Sequence, residues 1–268
     1  MINITIRPET PQDHHAVELL TRDVSVGYYG DEADTHLLVH LTRKHPSFLP
    51  ALSFVAELDG RLAGTIMYTR SKIITKHKTY DDTLCLQHLR VAPWAQCRGV
   101  GTALVQHTVA LAKEMGFRAI LFFGNPDYYP RLGFRPAFYF GIGGEFIEPF
   151  HCMPLYDGAL DGMEGGKYSE LDIPISKWQL RRFNRKFPPV DASWVKPIEY
   201  LLDQLEPPAR KTVAGLKLNT LYQMCRQSER SVAEMPGIDE AALATIRRVM
   251  RECSYGWGRT KKSEEETV

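Results

Sequence analysis

The chain has 268 residues, of which 44% are hydrophobic and 24% charged, with a net charge of +1 at pH 7. That length suits one large domain or two ordinary ones, and the composition excludes a mainly disordered chain. No apolar run approaches the roughly 20 residues that span a bilayer, and the N-terminus lacks the pattern of a secretory signal.

Residues 2–7 alternate apolar and polar side chains and predict an edge strand. Pro11 stands where a helix can begin, with Ala16, Val17, Leu19 and Leu20 as its partial apolar face. Leu37, Leu38 and Leu41 mark a second amphipathic segment. Residues 53–58 and 62–69 are strand-like, and Asp59-Gly60 between them is a strong hairpin signal. Residues 83–91 form a near-continuous apolar run, as in a strand buried at the centre of a sheet. Gly99-Val100-Gly101 and a long helix reaching Met115 follow, closed by Gly116. Residues 119–123 predict another buried strand and 134–142 a further one. Residues 1–150 therefore read as a mixed α/β sheet with a glycine-rich strand-to-helix turn.

Charge then changes sign along the chain. Residues 1–175 carry 16 Lys and Arg against 20 Asp and Glu, a balance of −4; residues 176–268 carry 17 against 12, a balance of +5. Lys177, Arg181, Arg182, Arg185 and Lys186 fall in one acid-free stretch, and with Pro188-Pro189 and two Trp they predict a basic connector over 176–194. From 195 the pattern is helical. Ile198, Leu201, Leu202 and Leu205 share one face, as do Ala242, Leu243, Ile246, Val249, Met250 and Cys253. A small helical bundle is expected over 195–258, and a disordered tail over 259–268. Five scattered cysteines without a Cys-x-x-Cys pair fit neither a disulfide framework nor a zinc cluster, and suit a reducing cytoplasm.

The stretch Gln96-Cys97-Arg98-Gly99-Val100-Gly101 carries the chemistry. Unpaired N–H groups at the first turn of a helix, with the positive end of its dipole, attract an anion. Glycines let the backbone come close to a diphosphate. Neither the dinucleotide fingerprint nor the P-loop spacing is present. Instead Gln96, Gly99 and Gly101 resemble motif A of the GNAT acyltransferases. Farther on, Tyr129, Gly133 and Phe134 within 124–134 are similar to the family's motif B, in the Tyr-Tyr form of its YhbS-like branch. The likeness extends over about residues 1–175, including Gly158-Ala159-Leu160.

That resemblance implies a mixed central sheet flanked by helices and acetyl-CoA as co-substrate, with no metal. Leu89, Arg90 and Val91 would pair with the pantetheine arm. Gln96, Cys97, Arg98, Gly99, Val100, Gly101 and Thr102 would surround the diphosphate, and Asn125 would reach a pantetheine amide. Tyr129 would be the general acid that protonates the departing thiolate, and a backbone amide, that of Val91, would polarise the carbonyl. Relatives with a side-chain base on this strand place it at positions matching Cys85 or Gln87, neither of which is a useful base. Strand alternation sets His88 on the opposite face from both, as a structural histidine. The expectation is an acceptor amine that loses its proton to water or arrives neutral.

Residues 198–258 resemble the C-terminal domain of the bacterial RNA polymerase alpha subunit, a helix–hairpin–helix module that binds DNA. At the hairpin, however, stand Asp239, Glu240 and Ala241, and acid there repels phosphate. A protein partner is the better expectation for this unit, with weak nucleic-acid contact left to the basic stretch. The readings are then an N-acetyltransferase acting on a primary amine, or a nucleic-acid-associated or protein-binding regulator that senses acetyl-CoA. A third is an acyltransferase delivered to a DNA-bound protein.

Overall fold

In the computed structural model, residues 3–29, 33–96, 98–124, 128–143, 150–190, 195–227 and 229–253 are described. The chain divides into two units, Met1–Asp191 and Ala192–Val268. The expected tail and the close of the helical match, residues 254–268, lie outside the described residues.

Alternation at the start of the first unit yields β1 (Ile4–Pro8), an edge strand paired antiparallel with β2 (Phe54–Leu58). Between them in sequence, α1 (His14–Tyr29) is entered through a 3-10 turn at Pro11, and α2 (Thr35–Thr42) follows. Asp59 and Gly60 both take positive φ, 52° and 78°, which a tight hairpin needs. They turn the chain from β2 into β3 (Arg61–Ile74), which pairs antiparallel with β4 (Thr79–Val91). Next come α3 (Val100–Glu114) and β5 (Ala119–Phe123), the latter parallel to β4. The sheet is completed by β6 (Arg135–Pro136), β7 (Phe150–Pro154) and β8 (Lys167–Ser169). Strand order is β1-β2-β3-β4-β5-β7-β6, with β8 added to β3.

Apolar layers form on both faces. Leu104 and Val105 of α3 pack with Ile66, Tyr68, Leu84 and Ile120 on one face. Val17 of α1 and Val39 of α2 pack with Val55 and Met67 on the other. That second face also buries charge. Arg43 bonds Glu9 at 2.5 Å and Glu18 at 2.6 Å, and Ser53 donates to Glu9 at 2.6 Å. Breaking such a buried network leaves an unpaired charge, at a cost of about 3–5 kcal/mol.

Two expectations are corrected. The strand expected over 134–142 is only Arg135–Pro136, because Ala137–Phe140 turns into a 3-10 helix that ends at Gly141 with φ 68°. Nor is 176–190 a bare connector. Ser176 caps a helix, α4 (Lys177–Asn184), with Leu180 and Phe183 buried. Leu180, Phe183 and Phe187 follow i, i+3, i+7 and pack on Leu37 and Leu41 of α2. The basic residues occupy the remaining helix surface, so composition concealed an apolar stripe.

The second unit contains α5 (Glu199–Leu202), α6 (Pro207–Gly215), α7 (Glu229–Ala233) and α8 (Glu240–Glu252). Leu201, Val213, Leu221, Val232, Ile246 and Val249 form its core. The turn from α7 to α8 uses Gly237 at φ 81°, and the Asp239 carboxylate accepts from the Ala242 N–H at 2.8 Å.

His88 ties β4 to α1 by a 3.1 Å bond between its Nε2 and Thr21. Burial, then the nearby Arg90 and Arg43 charges, hold its pKa well below the ordinary histidine value. The unfolded chain takes this proton near pH 6.5 while the folded chain does not, so stability falls as pH drops through that value. His36 and His151 shift in the same direction. In thermal melts, His88→Asn should flatten the decline between pH 7.5 and 5.5; an unchanged slope would mean that His88 protonates in the fold. Asp239→Ala should cost the second unit about 1 kcal/mol in denaturant unfolding, the worth of a helix cap.

Candidate active site

β4 and β5 pair only over Thr83–Cys85 and Ala119–Leu121. Past Cys85, β4 continues to Val91 against β3 alone, among the described residues, so a V opens between β4 and β5. A bulge stands beside its apex. Leu86 faces Tyr68 and His88 faces Met67, which leaves Gln87 as the extra residue.

The pairing also fixes what this bare edge offers. Ala92 N–H donates to Ala63 at 2.8 Å, so Val91 opposite Gly64 is a non-hydrogen-bonded pair. The backbone groups of Val91, and by alternation those of Leu89, point away from β3 into the V. Gln96 Nε2 donates to the Val91 carbonyl at 3.2 Å, and Arg90 Nη1 to the Leu89 carbonyl at 2.8 Å. With the carbonyls engaged, the edge presents its amides. Gln96 and Arg90, both expected at the cofactor, thus bond to the β4 backbone, and Arg90 also reaches Ser25 of α1 at 3.4 Å.

At the mouth of the V begins α3. Gly99 is its N-cap at φ 86°, a conformation that a residue with a Cβ adopts at a cost. It carries no side-chain cap, so the Val100, Gly101 and Thr102 amides of the first turn have no intrahelical acceptor. Gly101 is required for a different reason. A Cβ there would stand 2.6 Å from the Tyr128 hydroxyl and 3.4 Å from Val91 Cγ2. Tyr128 therefore roofs the first turn, hydrogen-bonded to the Thr102 side chain, and burial raises its pKa. Arg98 is exposed beside this mouth. Cys97 and Asn125 lie outside the described residues.

Tyr129 opens a 3-10 turn (Tyr129–Leu132) that ends at Gly133 with φ 93°. Only 9% of it is exposed. Its ring meets Phe122 edge-on at 4.3 Å and Phe134 at 5.8 Å, within the layer that contains α3. Gly124 makes room for it, since a Cβ there would fall 2.5 Å from the tyrosine ring. Gly64 likewise admits α3 to the sheet, its absent Cβ being 2.9 Å from Val100 Cγ1.

On the opposite face the bulge corrects a sequence expectation. Cys85 faces Thr69, and His88 faces Met67. Thr69 and Met67 are two apart on β3 and share a face, so Cys85 and His88 do too. Strict alternation fails because Gln87 is inserted between them. His88 is 2% exposed and fixed by Thr21, as expected of a structural histidine. A carboxylate absent from the sequence reading stands close by. Glu170, just past β8, accepts from Cys85 Sγ at 3.1 Å and from the Tyr168 hydroxyl at 3.0 Å. Tyr168 is itself 3.1 Å from the Leu121 carbonyl. No motif marked Glu170, because its place depends on β8 returning to β3. Among the described residues, no group of three or more His, Cys, Asp or Glu is placed to hold a metal ion.

Residues 16–134 match the acetyltransferase (GNAT) family. The fold is similar to that of the GNAT family N-acetyltransferase YhbS of Escherichia coli, solved in complex with CoA. The TM-score is 0.53 and the identity 26%, over 63% of this chain and 92% of that one. The first unit has the mixed sheet flanked by helices of the GNAT fold. A GNAT acetyltransferase of Brucella melitensis, solved with acetyl-CoA, shares the fold at TM-score 0.50 and 23% identity, over 63% of this chain and 96% of that one. In sequence, the domain is 32% identical over 118 residues to the uncharacterised N-acetyltransferase YjhQ of Escherichia coli (strain K12). The match takes in 43% of this chain and 63% of that relative's length.

The Tyr128 roof is directly testable. Gly101→Ala should destabilise the first unit by about 1–3 kcal/mol through overpacking. Adding Tyr128→Phe should recover part of that loss, since the hydroxyl oxygen is the nearest atom. Equal unfolding midpoints for Gly101→Ala and the parent would place the hydroxyl elsewhere.

Proposed function

We propose that this chain is an acetyl-CoA-dependent N-acetyltransferase that moves an acetyl group to a primary amine by direct attack. One observation carries the reading: the bare amide edge of β4 leads straight to the uncapped first turn of α3. The turn would hold the diphosphate at the Val100, Gly101 and Thr102 amides, with Arg98 beside it. The pantetheine arm would lie along the amides of Leu89 and Val91, as an added strand in the V. Val91, whose amide was expected to polarise the carbonyl, instead abuts the mouth of α3, so that amide would serve the diphosphate end of the arm. An amide nearer the apex then polarises the thioester carbonyl. The CoA and acetyl-CoA in the YhbS and Brucella structures support this reading.

In the reaction the amine nitrogen attacks the thioester carbon, the C–N bond forms, and collapse of the tetrahedral intermediate breaks the C–S bond. Tyr129 gives its proton to the departing sulfur and regains one from the nitrogen. A phenol suits this step because it keeps its proton at neutral pH and has basicity comparable to a thiolate. Phe122, Phe134 and Gly124 fix the ring, which limits the motion that would misplace the hydroxyl.

The second unit we read as a helix–hairpin–helix module that docks a protein, because its hairpin carries acid. Asp239 is committed to capping α8, and Glu240 pairs with Arg247 at 2.7 Å. Nucleic-acid contact, if made, falls to the basic face of α4, where Arg182 lies over the exposed Trp178. No described helix is long and apolar enough to cross a membrane.

Thiol release from acetyl-CoA with a panel of primary amines tests the central reading. Tyr129→Phe should lower kcat by about 100-fold or more, in the range of a lost acid catalyst, while calorimetry shows acetyl-CoA affinity within twofold of the parent. A parent protein that binds acetyl-CoA yet releases no thiol with any amine would favour the sensing regulator.

A further inference from the structure

The V has two faces, and the proposed acid occupies only one. Tyr129 lies with Phe122 in the layer on the α3 side. The other face at the apex carries Cys85, whose pairing with Leu121 is the last before the strands part. Glu170 stands there. It is exposed to solvent, yet held by two donors: the Cys85 thiol at 3.1 Å and the Tyr168 hydroxyl at 3.0 Å. The Gln87 side chain, on the bulge, also meets Cys85 Sγ at 3.4 Å. The Tyr168 hydroxyl also lies 3.1 Å from the carbonyl of Leu121, in the middle of β5.

We propose that Glu170 is the proton acceptor for the incoming amine and the anchor for its ammonium form. The inference rests on the acetyltransferase reading above and replaces the expectation of a base-free reaction. The geometry supports it in three ways. A thioester drawn along β4 from the mouth of α3 ends near the apex, where the carboxylate sits. A carboxylate open to solvent on one side and held on the other can meet a cation arriving from outside. Its two neighbours do not compete for the proton: burial pushes the pKa of both the Cys85 thiol and the Tyr168 phenol well up, so each remains a donor. His88, on the same face, is buried and bound to Thr21.

Protons then balance across the sheet. The ammonium gives its first proton to Glu170, directly or through one water, and the free amine attacks the carbonyl carbon. As the C–S bond breaks, Tyr129 protonates sulfur and recovers the second proton lost by nitrogen. Glu170 returns its proton to solvent when product leaves. The acceptor class that follows is a cationic primary amine, since a carboxylate at the apex attracts an ammonium and repels an anionic acceptor.

The test compares the full-length parent with Glu170→Gln and Glu170→Asp, using thiol release with primary alkylamines and lysine-containing peptides from pH 6 to 10. Glu170→Gln should reduce kcat/KM about 100-fold at pH 7, a typical loss for a proton-transfer catalyst. The deficit should shrink as pH nears the acceptor's own pKa, where the amine arrives neutral. A merely structural role would depress the rate equally at every pH. Glu170→Asp keeps the carboxylate and should retain the parent's pH profile at a lower rate, which covers the case in which Gln disturbs the fold. Calorimetry with acetyl-CoA should read within twofold in all three proteins. An active parent matched by Glu170→Gln across the pH range overturns the base while leaving the acetyltransferase reading intact. A parent inactive with every amine removes both.

Discussion

Everything at the site follows from one constraint: two parallel strands that stop pairing part-way along. Backbone N–H groups must find acceptors, and a strand edge in the middle of a sheet would ordinarily be closed by its neighbour. Here β4 runs on after β5 has left it, with β3 on its other side holding it straight. The carbonyls of the exposed stretch are occupied by Gln96 and Arg90, so the edge is selective for a ligand that accepts. An amide-bearing arm that lies down as a strand meets that demand. The uncapped turn of α3 stands at the open end of the same edge. In the proposed reaction, cofactor grip and cofactor direction would therefore be one feature of the sheet rather than two.

The bulge at Gln87 has a second consequence. Inserting a residue at the apex brings Cys85 and His88 to one face, which α1 and β8 then divide. α1 seals His88 with Thr21 and takes it out of the chemistry. The segment after β8 brings Glu170 to Cys85 and leaves it open. In the proposed reaction the acid and the base work from opposite faces of the sheet, which keeps their protons apart and gives the acceptor a side of its own. The buried Arg43 network secures the helices that wall that side.

Much of this was legible in the residues themselves. The Asp59-Gly60 turn, the 119–123 strand and the helix closed by Gly116 have local causes, namely turn chemistry and periodicity, and they stand where expected. The loop of Gln96, Gly99 and Gly101 was also readable, though not every reason for it. Gly99 answers to backbone angle, while Gly101 answers to Tyr128, a residue far along the chain. Composition misled in two places. The aromatic run of 134–142 looked like a strand but is broken by a 3-10 turn, and the cations of 176–190 hid the stripe that seats α4.

Sequence alone was enough for what depends on neighbours within a turn or two: most of the elements, the helix mouth and the tyrosine turn. Only the tertiary structure decided the rest. The length over which β4 and β5 pair, the face that His88 occupies, and the meeting of Glu170 with Cys85 arise between segments far apart in the chain. Their cause is registry between strands, and a single inserted residue reassigns every side chain beyond it to the other face. No local pattern records that insertion, because it exists only relative to the partner strand.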